Sequence, residues 1–193
     1  RDNPWITSVL PVYWQARKLS DITYFRDFFR DDAISHYRLE IAPDDLQTMN
    51  NSLPDGFMNV LYYDKVFVLA KFIDNGRVYD VRVRYRGDNA VHWNAKKRSY
   101  LVKFKANDKF QGMTELSFII PDDRNFAIED FNNYRARKFG LHVPSSGFAN
   151  LDVNGMGRAL YFTMEGWSRE MLDKWGFGPD AILYGDADRP ELS

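Results

Sequence analysis

An α+β fold, a mostly antiparallel sheet with one long helix packed on it, is the class this chain predicts. Three observations carry it. Short apolar runs alternate with polar residues at a two-residue period, the mark of a half-buried strand. Asn75-Gly76 and Asn154-Gly155 each stand between such runs, and Asn-Gly suits the tight turn of a hairpin. One longer segment, after Asp122 and Asp123, carries apolar residues at helical spacing. The order is strands, one long helix, strands and a short helix, which suits a helix laid on an antiparallel sheet.

The elements follow in order. Residues 1–35 hold Pro4 and Pro11 and read as a docking arm, with a short helix over 22–29 that places Phe25, Phe28 and Phe29 on one face. Tyr37, Leu39 and Ile41 alternate with Arg38 and Glu40, a first strand. Pro43, Asp44 and Asp45 open a helix with acids in its first turn, where the helix dipole favours them. A β-rich run over 65–73 turns at Asn75-Gly76 and returns over 78–85, with Val81, Val83 and Tyr85 alternating against Arg82 and Arg84. A polar loop fills 86–97, and strands follow over 100–104 and 116–120. The long helix carries Phe126, Ile128, Phe131, Tyr134 and Phe139. It stops at Gly140, with Arg135, Arg137 and Lys138 in its last turn. A second hairpin spans 147–153 and 158–164, and a short amphipathic helix over 167–175 ends at Gly176.

Composition sets the bounds. With 193 residues the chain fits one domain, or one and a half, is too short for two large lobes, and buries roughly 70% of its unfolded surface. Aromatic residues at 16% and apolar residues at 45% exclude a disordered composition. A net charge of −1, from 26 Lys and Arg against 27 Asp and Glu, excludes a strongly basic nucleic-acid-binding domain. The absence of Cys excludes a disulfide framework, a zinc knuckle and a thiol nucleophile. No apolar run is long enough to span a membrane. The chain opens on Arg1, which reads as a processed product or an excised piece.

The stretch VRVRYRGDNAVHWNAKKRSYLVKF, from Val81 to Phe104, carries the most chemistry. Arg86 and Gly87 stand on one side of its loop, and Lys96, Lys97 and Arg98 on the other. A small Gly-containing loop flanked by cations can cradle phosphate, since backbone N–H groups point inward and side chains neutralise charge. Lys103 on the next strand is a further cation. The same residues also suit an ordinary hairpin with a solvated basic edge. Neither GxxxxGK[ST] nor GxGxxG occurs, and no GxSxG supports a hydrolase triad. His36, His92 and His142 lack metal-ligand spacing. Arg86-Gly87-Asp88 spells an adhesion tripeptide that also arises by chance. Five Trp leave room for sugar stacking, although core packing accounts for most Trp. Glu165, at the end of the second hairpin, reads either as a nucleotide contact or as a cap for the helix that follows.

Over most of Ser35 to Asp186 the chain resembles the CotH family, spore-coat-type proteins with an atypical protein-kinase fold. The likeness rests on blocks in order: HYRLEIAPDDL, the Arg-Gly loop with its basic strand, Asp123 with its helix and Gly140, VPSSGFANLDVNG, the aromatic hairpin ending in Glu165, and ILYGD. The resemblance implies a kinase-like amino-terminal lobe over 36–186, after the arm of 1–35 and before a linker tail of 187–193 that holds Asp188. It implies ATP with Mg or Mn as cofactor and Ser residues of coat or surface proteins as substrate. It also implies an extracellular, cell-surface or spore-coat location and a second lobe beyond Ser193. In such a lobe Arg86, Gly87 and Asn89 would cover the phosphates, and Lys97, Arg98 or Lys103 would be the phosphate cation. Glu129 or Asp130 would be the helix acid that holds it, and Glu165 would lie between lobes. No catalytic base and no metal ligand are assigned to these residues. A non-catalytic coat or surface binding module, or a carbohydrate-binding domain, is the alternative.

Overall fold

The computed structural model describes residues 34–53, 66–87, 91–94, 97–124 and 127–183. The chain divides into two compact units, Arg1–Ser35 and His36–Ser193. The expected helix over 22–29 and the tail of 187–193 lie outside the described residues.

Strand β1 (Ser35–Ile41) buries Tyr37, Leu39 and Ile41 on one face and exposes Glu40 on the other. Helix α1 (Pro43–Asn51) starts on Pro43, carries Asp44 and Asp45 in its first turn and buries Met49. Strands β2 (Val68–Asp74) and β3 (Arg77–Tyr85) form a hairpin through Asn75 and Gly76, whose φ values of 47° and 85° match the right-handed strand twist. A one-turn helix, α2 (Val91–Asn94), sits in the loop before β4 (Tyr100–Lys103). β5 (Glu115–Ile119) precedes a 3-10 turn and helix α3 (Ile128–Lys138). β6 (Ser146–Val153) and β7 (Arg158–Glu165) form the second hairpin. Helix α4 (Arg169–Lys174) is capped by Ser168, whose side chain accepts the Met171 N–H.

The seven strands close into a barrel in the order β1-β2-β3-β4-β5-β7-β6. The pairings β1–β2, β2–β3, β3–β4, β4–β5, β5–β7 and β6–β7 are all antiparallel. Asn154, in the β6–β7 turn at φ 53°, helps to close the ring. Its N–H donates to Leu39 O at 2.9 Å, its Oδ1 accepts the Ile41 N–H at 2.8 Å, and its Nδ2 donates to Ile41 O at 3.0 Å. A side-chain amide here does what a strand backbone would do.

The expected α+β fold, a mostly antiparallel sheet with one long packed helix as in a kinase amino-terminal lobe, is corrected by this structure. The sheet closes on itself, and its interior is filled by its own side chains. α3 spans 11 residues and buries none of them. Ile128, Phe131 and Tyr134 do share a helical face, but they are exposed. Periodicity reports that a helix is two-sided; it does not report what the apolar side meets.

The interior is aromatic. Phe72, fully buried, lies 5.1 Å from Tyr37, 5.3 Å from Phe104 and 5.1 Å from Phe110 between ring centroids. Phe110 comes from the β4–β5 connection, which the sequence pattern left unassigned. Gln111 and Gly112, at φ 49° and 80°, make a second two-residue turn that swings Phe110 inward. Phe104 stacks on it at 5.3 Å.

Candidate anion site at one end of the barrel

β3 ends at Tyr85, and β4 begins at Tyr100, its direct partner across the pair. Hydrogen bonds tie the described ends of the connection to each other. The Arg86 N–H donates to Ser99 O at 3.0 Å, and the Ser99 N–H donates to His92 O at 2.9 Å. His92 Nδ1 shares a hydrogen bond with Ser99 Oγ at 3.0 Å, and Ser99 Oγ accepts the Ile120 N–H at 3.0 Å. Gly87 takes φ +100°, and a Cβ built on it would lie 2.1 Å from the His92 ring. Gly87 is therefore required by backbone angle and by the close approach of His92. Asn89 lies outside the described residues.

Lys97 and Arg98 sit where the loop rejoins the barrel. The Lys97 ammonium donates to Leu160 O and lies 4.5 Å from the Tyr161 ring centroid. Arg98 packs 4.8 Å from the Tyr85 ring centroid and donates to Tyr85 Oη at 2.6 Å and to Asn50 Oδ1. Tyr85 Oη in turn donates to Asn50 Oδ1 at 2.8 Å, which ties α1 to this end of the barrel. Tyr100 lies 5.6 Å from Tyr85 and 6.4 Å from Tyr161. Two adjacent cations thus rest on tyrosine rings, and neither forms an ion pair with a carboxylate among the described residues. Burial lowers the pKa of Lys97, opposed by the charge of Asp122. Burial raises the phenols of Tyr85, Tyr100 and Tyr161, and for Tyr85 the nearby Arg98 works against it.

The other expected site residues lie elsewhere. Lys103 is on the outer face of the barrel, paired with Glu115 at 2.6 Å. Its place follows from strand parity: Tyr100, Val102 and Phe104 point inward, so Lys103 points out. Glu129 lies in the first turn of α3. Its neighbour Asp130 accepts from Ser146 Oγ at 3.2 Å and so holds α3 to β6. Glu165 is 1% exposed; it pairs with Lys174 at 2.9 Å and accepts the Ser145 N–H at 3.1 Å. It ties β7 to α4, while the cap of α4 is Ser168. The structure brings Lys97 and Arg98 together, and it pairs Lys103 with Glu115 and Glu165 with Lys174.

Sequence reasoning missed Asn50 and the three tyrosines. Tyr85 and Tyr100 flank the loop symmetrically, a signal that was available. Asn50, in the last turn of α1, gives none. Among the described residues no three His, Asp or Glu side chains gather to hold a metal ion, and no helix is long and apolar enough to cross a membrane.

A scan against protein-family models finds no match for this chain, and no curated protein matches it in sequence. Neither comparison links the chain to the CotH family.

Proposed function

We propose that the chain binds the phosphates of ATP at the Lys97–Arg98 end of the barrel. In this reading it is the nucleotide-holding part of a protein serine kinase acting on coat or surface proteins. One observation carries the reading: two neighbouring cations are half-buried on tyrosine rings, and among the described residues no carboxylate forms an ion pair with either, Asp122 acting on Lys97 through its charge. Desolvating a cation without a counter-ion is unfavourable, and a bound polyanion relieves it. Lys97 supplies a compact charge and Arg98 a planar fork, the two shapes that suit a polyphosphate. The reading does not lean on a kinase-lobe architecture. The residues here fit phosphate groups, while a divalent ion accompanying ATP has no assigned protein ligand among them. When bound, such an ion would neutralise phosphate charge.

The test is binding of Mg-ATP and Mn-ATP to the chain by calorimetry. Lys97→Met and Arg98→Lys are expected to weaken binding about tenfold or more, the worth of one charge-assisted hydrogen bond. Lys103→Met, on the outer face, is expected to leave it unchanged. Affinity is also expected to fall as pH rises through the lowered pKa of Lys97, since the neutral amine no longer attracts phosphate. A parent chain that binds no ATP, or a Lys97→Met variant that binds like the parent, overturns the proposal.

A second reading, a non-catalytic binding module, is favoured by the exposed apolar face of α3. Phe131 at 58% and Tyr134 at 51% exposure stand on this helix, and Phe139, its C-cap, is 77% exposed.

A further inference from the structure

The outer face of β2, β3 and β4 carries a charge arrangement that the barrel itself does not need. Three cations surround one phenyl ring. The Arg82 and Arg84 guanidinium carbons lie 5.5 Å and 5.2 Å from the Phe67 centroid, and Lys103 Nζ lies 5.2 Å from it. The register explains the convergence. Arg82 and Arg84 are two residues apart on β3 and share a face, and Lys103 is directly opposite Arg82 on β4. Like charges facing each other across a pair are unfavourable, so the arrangement weakens the sheet locally. One carboxylate answers it, Glu115 on Lys103. Arg82 and Arg84 have no carboxylate partner among the described residues. Arg84 Nε is buried without a hydrogen-bond partner, and Arg84 Nη1 reaches only its neighbour's carbonyl, Tyr85 O, at 3.4 Å.

The adjacent row on the same face is different. Glu40, Lys71 and Asp80 stand in register across β1, β2 and β3, and Asp80 pairs with Lys105 at 3.0 Å. Signs alternate there and the row neutralises itself. Arg82 and Lys103 of the first row and Glu40, Lys71 and Asp80 of the second line a groove of about 1100 Å³ that also exposes Leu69, while Arg84 and Phe67 are not part of its lining. A uniformly negative polymer such as a nucleic acid would meet Glu40, Asp80 and Glu115 along this groove and be repelled. A ligand with one concentrated negative group would not.

We propose that this face binds a phosphate monoester, held by Arg82 and Arg84 over the Phe67 ring beside Lys103. Among the described residues, three cations less one carboxylate leave an excess of two positive charges, which matches the roughly −1.5 to −2 charge of a phosphate monoester at neutral pH. Two guanidinium forks also suit its tetrahedral oxygens better than a lone ammonium would. The groove beside the cluster has room for what carries the phosphate, either a phosphorylated residue of a partner protein or a small phosphorylated molecule. The site is on the outer face of the barrel and is independent of the ATP reading at Lys97.

The experiment titrates the chain with three probes: a short peptide containing one phosphoserine, the same peptide with Ser, and free phosphoserine. Binding is followed by calorimetry and by the phosphorus NMR shift. Binding of the phosphopeptide but not the Ser peptide is expected, weakened about tenfold or more in Arg82→Gln and in Arg84→Gln, with Arg82→Lys between them and the parent. Lys97→Met is expected to bind the phosphopeptide like the parent, which separates this site from the ATP site. Free phosphoserine that binds as tightly as the peptide supports the site and assigns it to a small phosphorylated molecule. Thermal melts of each variant check the fold, and Arg82, being exposed, keeps the test available if Arg84→Gln fails to fold. A parent chain that binds neither phosphorylated probe, or folded Arg82→Gln that binds like the parent, overturns the proposal.

Discussion

Tyr100 and Tyr161 show how much a single buried group decides in this molecule. Each phenol has an ordinary pKa of 10.0, and burial holds both well above it in the folded chain. The unfolded chain loses these protons near its ordinary pKa while the folded chain keeps them, so the folded state binds more protons. Stability is therefore fully present below about pH 10 and falls as pH rises beyond it. Lys97 acts in the opposite direction: its lowered pKa makes stability rise slightly with pH below its ordinary value of 10.5. Two buried phenols outweigh one half-buried amine. Alkaline unfolding, followed by tyrosinate absorbance, is expected to release these two phenols together with loss of the fold. Tyr161→Phe is expected to shift that transition to higher pH; an unshifted transition contradicts the assignment. Gly87 makes the same point for the backbone. The sequence marks it as a small loop residue, but the contact that demands it, the His92 ring, comes from a residue five positions on and appears only when the loop folds.

At the scale of elements, the strands and turns were legible. β1, β2 and β3 follow the alternation of Tyr37, Leu39 and Ile41 and of Val81, Val83 and Tyr85, because a period of two is a local property of the chain. Asn75-Gly76 was legible for the same reason, since positive φ is a property of the residues themselves. The Gln111-Gly112 turn was missed because Gln is uncommon at positive φ. Helix α3 was legible as a helix but misread as a packed one. This difference is measurable. Phe131→Gln is expected to change stability by no more than about 0.5 kcal/mol, as for an exposed site. A packed helix would lose several times that. Phe72→Ala, which empties the centre of the aromatic core, is expected to cost about 3–5 kcal/mol in urea unfolding. A cost at Phe131 close to that at Phe72 would restore the packed-helix view.

The closed ring is a property of the whole molecule. An open antiparallel sheet leaves two edges with unpaired N–H and C=O groups, and closure removes them. Asn154 shows how the last gap is spanned: its side chain serves both the N–H and the C=O of Ile41 across 113 residues of sequence. Asn154→Ala is expected to cost about 1–3 kcal/mol, because it strands both groups of Ile41 and loses a residue suited to positive φ. Asn154→Gly keeps the backbone angle and still loses both bonds, so it is expected to retain most of that cost. Amide exchange at Ile41 is expected to speed up in both variants. Unchanged exchange at Ile41 would mean that the side chain does not secure the seam.

The sequence by itself determined the local alphabet of this protein: where strands run, where they turn, which helices start on Pro43 and stop at Gly140, and that cations gather on both sides of one loop. Those features depend on φ preference, capping and periodicity, which act over a few residues. Only the tertiary structure decided that β6 returns to β1, that α3 faces outward, that Lys97 and Arg98 share one end of the barrel with three tyrosines, and that Lys103 joins Arg82 and Arg84 outside it. These depend on which distant strands pair and in what register, and burial of the aromatic core selects that pairing from many the local pattern allows.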